Sequence, residues 1–199
     1  MFQVRFHGRG GQGVVTAAEL LAIAAFYDGE HAQAFPSFGS ERTGAPVVSF
    51  CRISTREIRT RAPIDEPDAL IVQDPTLLVQ PGLFAGLKSD GYLIINTTKP
   101  LESFQLGGVV TELPRSHILL FGATEIAVKH LGRPLPNAVL LGGFAALTEV
   151  VSLPALVTAI EERFSGAARA GNVAAVSEAY HQTSETSVVS SQEGSNSAS

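Results

Sequence analysis

The residues best suited to chemistry lie in a glycine-rich stretch near the start of the chain, FHGRGGQGVV at positions 6–15. Its glycines fit the G-x-G-x-x-G spacing of dinucleotide-binding loops. Glycine lets the backbone approach a ligand closely, and a following helix offers phosphate free N–H groups and a partial positive charge. An arginine in the loop would add a forked donor. The candidate binding residues here are Gly8, Arg9, Gly10, Gly11, Gln12 and Gly13.

The same spacing leaves two other interpretations open. The first is a strand-to-helix turn in which the glycines only allow close packing. The second is a nicotinamide or flavin site, which requires an acidic residue at the end of the second strand. Asp28 and Glu30 precede that predicted strand, whereas Phe35 and Pro36 stand at its end. The nicotinamide signature is therefore incomplete, and a free-standing Rossmann-like nicotinamide- or flavin-binding protein stays the alternative.

Two further loops are candidates for the same site. PSFGSERTGAP (36–46) follows the second predicted strand, and IINTTK (94–99) closes a later, buried one. Ligand crevices in open α/β sheets form at the carboxyl ends of strands, so we expect the first loop to lie beside the glycine loop. The alternatives are a surface loop and a helix cap with a turn. The candidate binding residues are Ser40, Glu41, Arg42, Thr43, Asn96 and Thr97.

An alternation of strands and helices provides the frame for these loops. We predict strands at 2–6, 31–35, 69–74, 91–98 and 116–124, an antiparallel hairpin of 45–53 with 57–62, and helices at 11–27, 76–88, 124–131, 137–150, 153–164 and 168–181. This order predicts an α/β fold. We expect a three-layer α/β/α arrangement with a mostly parallel sheet plus the antiparallel hairpin, Rossmann-like in type.

Two segments of this frame carry further expectations. The predicted helix at 11–27 is apolar on nearly every side, and a helix of this kind is covered either by a large core or by a partner. Because the chain has only 199 residues, we expect a partner to cover it. From Thr183 the sequence is rich in serine and lacks periodicity. We therefore expect one domain at 1–182 and a disordered tail at 183–199.

Composition and missing motifs exclude several classes of function. The net charge of −5 argues against a nucleic-acid partner. A single cysteine, Cys51, and the lack of CxxC and HExxH motifs exclude an iron–sulfur cluster or a zincin-type zinc held by this chain alone. We find no nucleophile–base pair and expect no catalytic residue. Without a signal sequence or an apolar run of about 18 residues, the expected location is cytoplasmic, with no membrane partner.

Three long motifs in order resemble one enzyme family. They are VRFHGRGGQGVVTAAELLA (4–22), QAFPSFGSERTGAPVVSFCRI (33–53) and EPDALIVQDPTLL (66–78). The chain resembles the gamma subunit of the 2-oxoacid:ferredoxin oxidoreductases, in the branch of pyruvate synthase and 2-oxoisovalerate oxidoreductase. The similarity continues through 93–97, 122–147 and 164–183, so that it covers nearly the whole chain except the tail.

The resemblance implies that this chain is one subunit of a thiamine diphosphate-dependent enzyme. Such enzymes convert a 2-oxoacid, coenzyme A and oxidised ferredoxin into acyl-coenzyme A, CO2 and reduced ferredoxin. For this chain the first expected substrate is pyruvate. Thiamine diphosphate, Mg²⁺ and [4Fe-4S] clusters are expected on the alpha, beta and delta subunits, and ferredoxin meets the assembled complex. The gamma chain is expected to contribute coenzyme A binding and subunit assembly. Many relatives carry two basic residues after Glu41, where this chain has Arg42 followed by Thr43.

Overall fold

The computed structural model describes residues 1–37 and 43–196, which contain a six-stranded sheet in the order β2-β3-β1-β4-β5-β6. The strands are β1 (Phe2–Arg9), β2 (His31–Pro36), β3 (Pro46–Ser54), β4 (Ala69–Val72), β5 (Tyr92–Asn96) and β6 (Ile118–Phe121). The helices are α1 (Val14–Tyr27), α2 (Val109–Glu112), α3 (Ala123–Leu131), α4 (Asn137–Thr148), α5 (Leu153–Arg163) and α6 (Gly166–Asn196). Short 3₁₀ helices span Pro75–Val79, Leu101–Phe104 and Arg115–His117.

The sheet is mostly parallel with one reversed strand. β1, β4, β5 and β6 pair in parallel, whereas β3 runs antiparallel to both of its neighbours, β1 and β2. Among the parallel strands, β4 is a short apolar run of the kind that is covered on both faces, and all four of its residues are buried. This arrangement confirms the predicted α/β fold with a mostly parallel sheet and an antiparallel pair. It also brings the carboxyl ends of β1, β4 and β5 to the same edge.

The predicted partner of the antiparallel strand is wrong. β3 pairs with β2, in a register that places Phe35 opposite Phe50 with their ring centroids 5.2 Å apart. Residues 57–62 form no strand in the structure. This segment supplies a backbone acceptor instead, because Arg52 Nη2 donates to the Ala62 carbonyl oxygen at 2.7 Å. The alternating charges of 57–62 resembled an exposed strand, but the aromatic pair favours β2.

The predicted helix over 76–88 is also shorter than expected. A 3₁₀ helix covers Pro75–Val79, and turns follow it. Gly86 has φ of +73°, and an added Cβ there would collide with the carbonyl oxygen of Asp65. A right-handed helix requires negative φ, so it cannot continue through this position. The outer layer on this face of the sheet therefore consists of short helical turns.

Two hydrophobic clusters cover the two faces of the sheet. The larger one joins α1, α3, α4, α5 and α6 to side chains such as Ile71 and Ile94. The smaller one joins Leu70, Val72 and Ile95 to the turns on the opposite face. Because alternate residues of a strand point to opposite faces, β4 contributes to both clusters. The three layers predicted for the fold follow from this alternation.

The first helix is covered by its own chain, which differs from the expected partner contact. α1 packs against α5, α4 and the strands β1 to β3. Seven of its residues are buried: Val14, Ala17, Ala18, Leu20, Leu21, Ala24 and Ala25. Its exposed large apolar side chains lie in the last turn, where Phe26 is 70% and Tyr27 is 48% exposed. The apolar composition of α1 therefore reflects a central position in the larger cluster and does not by itself require a second protein.

The segment from Thr183, for which we expect a disordered tail, begins within α6, which extends to Asn196. Thr183 is buried, and Ser184 Oγ donates to the carbonyl oxygen of Tyr180 at 3.0 Å. Extending an existing helix costs much less than starting one, so a polar segment can follow a helix that α3 and α4 hold in place. Among the described helices, none is long and apolar enough to cross a membrane.

His7 gives the fold a predicted dependence on pH. Burial, and then the charge of Arg5, lower the pKa of His7 to about 4 from its usual 6.5. In the unfolded chain the imidazole is protonated below about pH 6.5. The unfolded state therefore binds more protons between these values, and the free energy of unfolding falls as the pH falls. We expect a loss of about 2 kcal/mol from pH 7 to pH 5 in urea unfolding.

The matched test compares His7→Gln with His31→Gln, since His31 is exposed at the start of β2. The first variant should flatten the pH dependence, and the second should keep it. Equal slopes for His7→Gln and the unmodified chain would contradict the assignment.

Candidate functional site

An open groove of about 730 Å³ lies at the carboxyl ends of the parallel strands. Its lining comes from Gly10–Gln12 after β1, Gln73–Thr76 after β4, Asn96 of β5, Thr124 of α3 and Arg133–Pro136 between α3 and α4. Cavities of about 240 and 500 Å³ lie elsewhere, beside Leu101–Leu106 and beside β2. The groove at the strand ends is the one that contains sequence-predicted site residues. It occupies the usual ligand position of an open α/β sheet.

The loop glycines serve two different purposes. An added Cβ on Gly8 would come within 2.6 Å of Val14 Cγ2, and one on Gly13 would collide with the side-chain amide of Asn137. These two glycines allow the loop, α1 and α4 to pack closely. Gly11 has φ of +95° and no atom within 4 Å of the Cβ position. Open space above a left-handed glycine permits close approach of a ligand to the backbone.

The glycine loop leads directly into the N-terminus of α1. Gly13 is the N-cap residue in a left-handed conformation, and no side chain from the described part of the chain caps the helix. The first N–H groups of a helix lack partners within the helix and carry a partial positive charge. This end of α1 therefore favours an anion.

Arg9 connects three loops at this edge of the sheet. Its Nη1 donates to the Gly44 carbonyl oxygen at 3.0 Å, its Nη2 donates to Thr76 Oγ1 at 2.7 Å, and its Nε lies 3.2 Å from Asp74 Oδ2. A guanidinium has five N–H groups, so two remain for another partner. Arg9 thus has a structural role, and it retains donors for a ligand.

Gln12 and Asp74 complete the network around Arg9. Gln12 Oε1 accepts from the backbone N–H of Arg9 at 2.7 Å, and its Nε2 donates to Asp74 Oδ2 at 2.9 Å. Burial alone would raise the pKa of Asp74. Hydrogen bonds from Thr76 and Gln12, together with the charge of Arg9, lower that pKa overall. Asp74 is therefore ionised at neutral pH and neutralises Arg9.

The second predicted loop reaches the glycine loop, as expected. Gly10 and Thr43 form a β-bridge. The Gly10 N–H donates to the Ala45 carbonyl oxygen at 2.9 Å, and the Gly44 N–H donates to the Gly10 carbonyl oxygen at 3.1 Å. The other candidates in this loop, Ser40, Glu41 and Arg42, lie outside the described residues.

Asn96 and Thr97 occupy different positions. Asn96 Nδ2 donates to the Gln73 carbonyl oxygen and to Thr124 Oγ1, both at 2.8 Å, and its Oδ1 accepts from the Thr124 N–H at 3.1 Å. This amide therefore links β4, β5 and α3 on the lining of the groove. Thr97 is buried and does not line the groove, and its hydroxyl oxygen accepts from the Lys99 N–H at 3.1 Å. These hydrogen bonds are of the cap and turn type given as the alternative, and ligand binding by either residue stays a prediction.

Arg133 and Gln73 are among the lining side chains that sequence reasoning missed. Arg133 is exposed and forms no ion pair with the residues that the structure describes. Gln73 is 1% exposed, and neither atom of its side-chain amide has a hydrogen-bond partner there. The available signals were a Gly-Arg-Pro between two predicted helices and a polar residue ending an apolar strand. Because Arg9 is paired with Asp74, Arg133 supplies the unneutralised positive charge among the described residues that line the groove.

The donor set of this chain does not fit a metal cluster. Cys51 is the single cysteine, it is fully buried, and burial raises the pKa of its thiol well above the usual range. Among the side chains that the structure describes, no three His, Cys, Asp or Glu are grouped as metal ligands. A thiolate-bound iron–sulfur cluster needs several cysteines.

Comparison with known proteins places this geometry among oxidoreductase subunits. The family described as pyruvate ferredoxin/flavodoxin oxidoreductase matches residues 3–182. The common gamma subunit of the pyruvate/ketoisovalerate oxidoreductases of Pyrococcus abyssi is 46% identical over 185 residues, covering 92% of this chain and 97% of that protein. Pyruvate synthase subunit PorC of Methanothermobacter marburgensis is 45% identical over 182 residues, with the same coverage.

A solved structure agrees with these relatives. Pyruvate oxidoreductase subunit PORC of Thermotoga maritima superposes with a TM-score of 0.76 at 36% identity. The superposition covers 90% of this chain and 95% of that one. The family match and these relatives therefore cover nearly the whole chain.

Proposed function

The chain belongs to the pyruvate ferredoxin/flavodoxin oxidoreductase family as a gamma subunit, and from this premise we propose that its groove binds coenzyme A in a thiamine diphosphate-dependent complex. The proposed reaction converts pyruvate, coenzyme A and two oxidised ferredoxins into acetyl-coenzyme A, CO2, two reduced ferredoxins and a proton. Thiamine diphosphate with Mg²⁺ and the [4Fe-4S] clusters belong to the alpha, beta and delta subunits. We further propose a cytoplasmic location for the complex.

The observation that carries the proposal is the pairing of an open left-handed glycine with an unneutralised arginine in one groove. Gly11 leaves its backbone accessible, and Arg133 lines the same groove. Coenzyme A carries several phosphate groups, which bind to backbone N–H groups at helix N-termini and to arginine forks. The two unused N–H groups of Arg9 add donors beside Gly11. The role of this chain is then to hold and orient the acyl acceptor, while the chemistry occurs on its partners.

The nicotinamide alternative is not favoured by the sheet topology. In a dinucleotide-binding fold the second strand lies next to the first and runs parallel to it, so that its final acidic residue reaches the ribose. Here β3, which runs antiparallel, is the neighbour of β1, and β2 lies at the edge beyond it. Asp28 and Glu30 precede β2 and therefore lie at its amino end, whereas the ribose-binding acid must follow the carboxyl end. No acid is therefore presented beside the glycine loop from that strand.

The test is an assay of the complex purified with this chain. We expect the chain to co-purify in stoichiometric amounts with its alpha, beta and delta partners. Ferredoxin reduction should depend on coenzyme A and proceed with pyruvate or 2-oxoisovalerate, whereas 2-oxoglutarate serves as the comparison substrate. A monomer that ignores those partners, or submicromolar binding of NADH by the isolated chain, would overturn the proposal.

A further inference from the structure

Gln73 has an unusual combination of burial and missing partners. Its backbone is fully used, because its N–H donates to the His7 carbonyl oxygen at 2.7 Å and its carbonyl oxygen accepts from Asn96 Nδ2 at 2.8 Å. Its side chain is buried, yet both Nε2 and Oε1 lack a hydrogen-bond partner within the described chain. Buried polar groups are almost always paired, because an unpaired one loses its hydrogen bonds to water without compensation.

The neighbouring side-chain amides at the same edge have their hydrogen bonds, so Gln73 is the unpaired member of this described group of three amides. Both side-chain atoms of Gln12 are bonded, and so are both side-chain atoms of Asn96. Gln73 lies directly beneath the glycine loop, where an added Cβ on Gly8 would be 3.2 Å from Gln73 Cβ. It lines the same groove as Arg133. Among the described residues, the lining of the groove thus contains an exposed arginine without an ion pair and a buried amide without a hydrogen-bond partner.

We propose that Gln73 recognises a neutral amide-type group of the ligand in this groove, that is, a group presenting one hydrogen-bond donor beside one acceptor. This inference rests on the proposed binding of coenzyme A. An amide offers one acceptor oxygen and two donor hydrogens, so its complement is another amide or the edge of an aminopurine. Coenzyme A has both groups, the amides of its pantetheine arm and its adenine ring. Gln73 then discriminates by hydrogen bonding, while Arg133 and the loop backbone hold the phosphates.

The proposal predicts opposite effects of one substitution on stability and on binding. Gln73→Met keeps the length of the side chain and removes the two unpaired polar atoms. Without ligand, the full chain should unfold at a higher temperature, since an apolar side chain of similar shape suits an unsatisfied buried site better. In the purified complex, coenzyme A should bind about tenfold more weakly or worse, because its polar group would then meet a side chain that cannot hydrogen-bond. If Gln73 had only a structural role, Gln73→Met would lower both the unfolding temperature and the affinity for coenzyme A.

Gln12→Met is the matched control, because it removes an amide whose two polar atoms are both bonded. It should lower the unfolding temperature. Two fragments of coenzyme A identify the group that Gln73 hydrogen-bonds. Adenosine 3′,5′-bisphosphate carries the purine, and 4′-phosphopantetheine carries the amides. Each is tested as a competitor of coenzyme A, and Gln73→Met should weaken one of them while leaving the other within about twofold of its original affinity.

The outcomes separate this inference from the proposed function. Failure of the unmodified complex to bind coenzyme A would overturn both. Normal binding by the unmodified complex and equally tight binding by Gln73→Met would overturn only the role of Gln73. A fall in unfolding temperature for Gln73→Met, similar to that of Gln12→Met, would do the same, since it would indicate an internal partner such as a trapped water.

Discussion

Replacing Arg133 with glutamine should raise the KM for coenzyme A in the purified complex by about tenfold or more. A charge-assisted hydrogen bond contributes about 1.5–3 kcal/mol, and each 1.4 kcal/mol corresponds to about a factor of ten in affinity. Decarboxylation of the 2-oxoacid in the absence of coenzyme A should stay close to its original rate, because the acceptor is not needed for that step. The measurement is the initial rate of ferredoxin reduction against coenzyme A concentration.

Arg133 is a better target than Arg9 for physical reasons. Arg133 is exposed and has no ion pair within the described chain, so its removal should cost the fold little. Removing the Arg9 side chain would also leave Asp74 without its charged partner and Gly44 without a donor. Arg56→Gln is the matched control, because Arg56 is exposed and does not line the groove. An unchanged KM for coenzyme A in Arg133→Gln, with the complex intact, would contradict the proposal that Arg133 binds the phosphates of coenzyme A.

Replacing Gly11 with valine should reduce coenzyme A affinity by at least about tenfold, because the side chain would occupy the space that the phosphates need. The substitution also strains the backbone, since Gly11 has φ of +95°. Left-handed geometry costs an ordinary residue about 1–2 kcal/mol, and a β-branched residue is a poorer fit still. A stability loss must therefore be separated from the loss of binding.

Gly29 allows that separation. Its φ is +86°, and like Gly11 it has no atom within 4 Å of the Cβ position, but it lies between α1 and β2, away from the groove. Gly29→Val should therefore lose a similar amount of stability and keep its KM for coenzyme A. Unfolding in urea and steady-state kinetics of both variants provide the comparison. Equal KM values in the two complexes would mean that Gly11 only shapes the turn.

The sequence was sufficient to predict the position of the glycine loop, because its signals are local. An apolar strand, closely spaced glycines and a helical period follow one another within residues 2–27. Their order requires the loop to lie at the carboxyl end of a strand, beside the ends of the later parallel strands. The neighbouring position of Thr43 follows from the same rule.

Long-range packing explains what local patterns could not provide. The partner of β3 is set by the contact of Phe35 with Phe50, which are separated by a long loop, whereas the sequence pattern favoured the nearby segment 57–62. Arg133 enters the groove because α3 and α4 both pack on α6 and present their connection at the strand ends. The periodicity of the sequence does not predict this packing of α3 and α4 on α6. The unpaired state of Gln73 is likewise visible only when its neighbours are in place.

The central claim is that the groove of this chain holds coenzyme A, and backbone amide hydrogen exchange in the intact complex tests it most directly. Exchange is measured with and without coenzyme A on peptides that cover the whole chain. We expect slower exchange at 10–13, 73–76 and 133–136, the segments that line the groove or begin α1, and little change at 57–62, which lies beside β2 and does not line the groove. Protection by coenzyme A confined to other segments of this chain, or to the partner subunits alone, would contradict the claim.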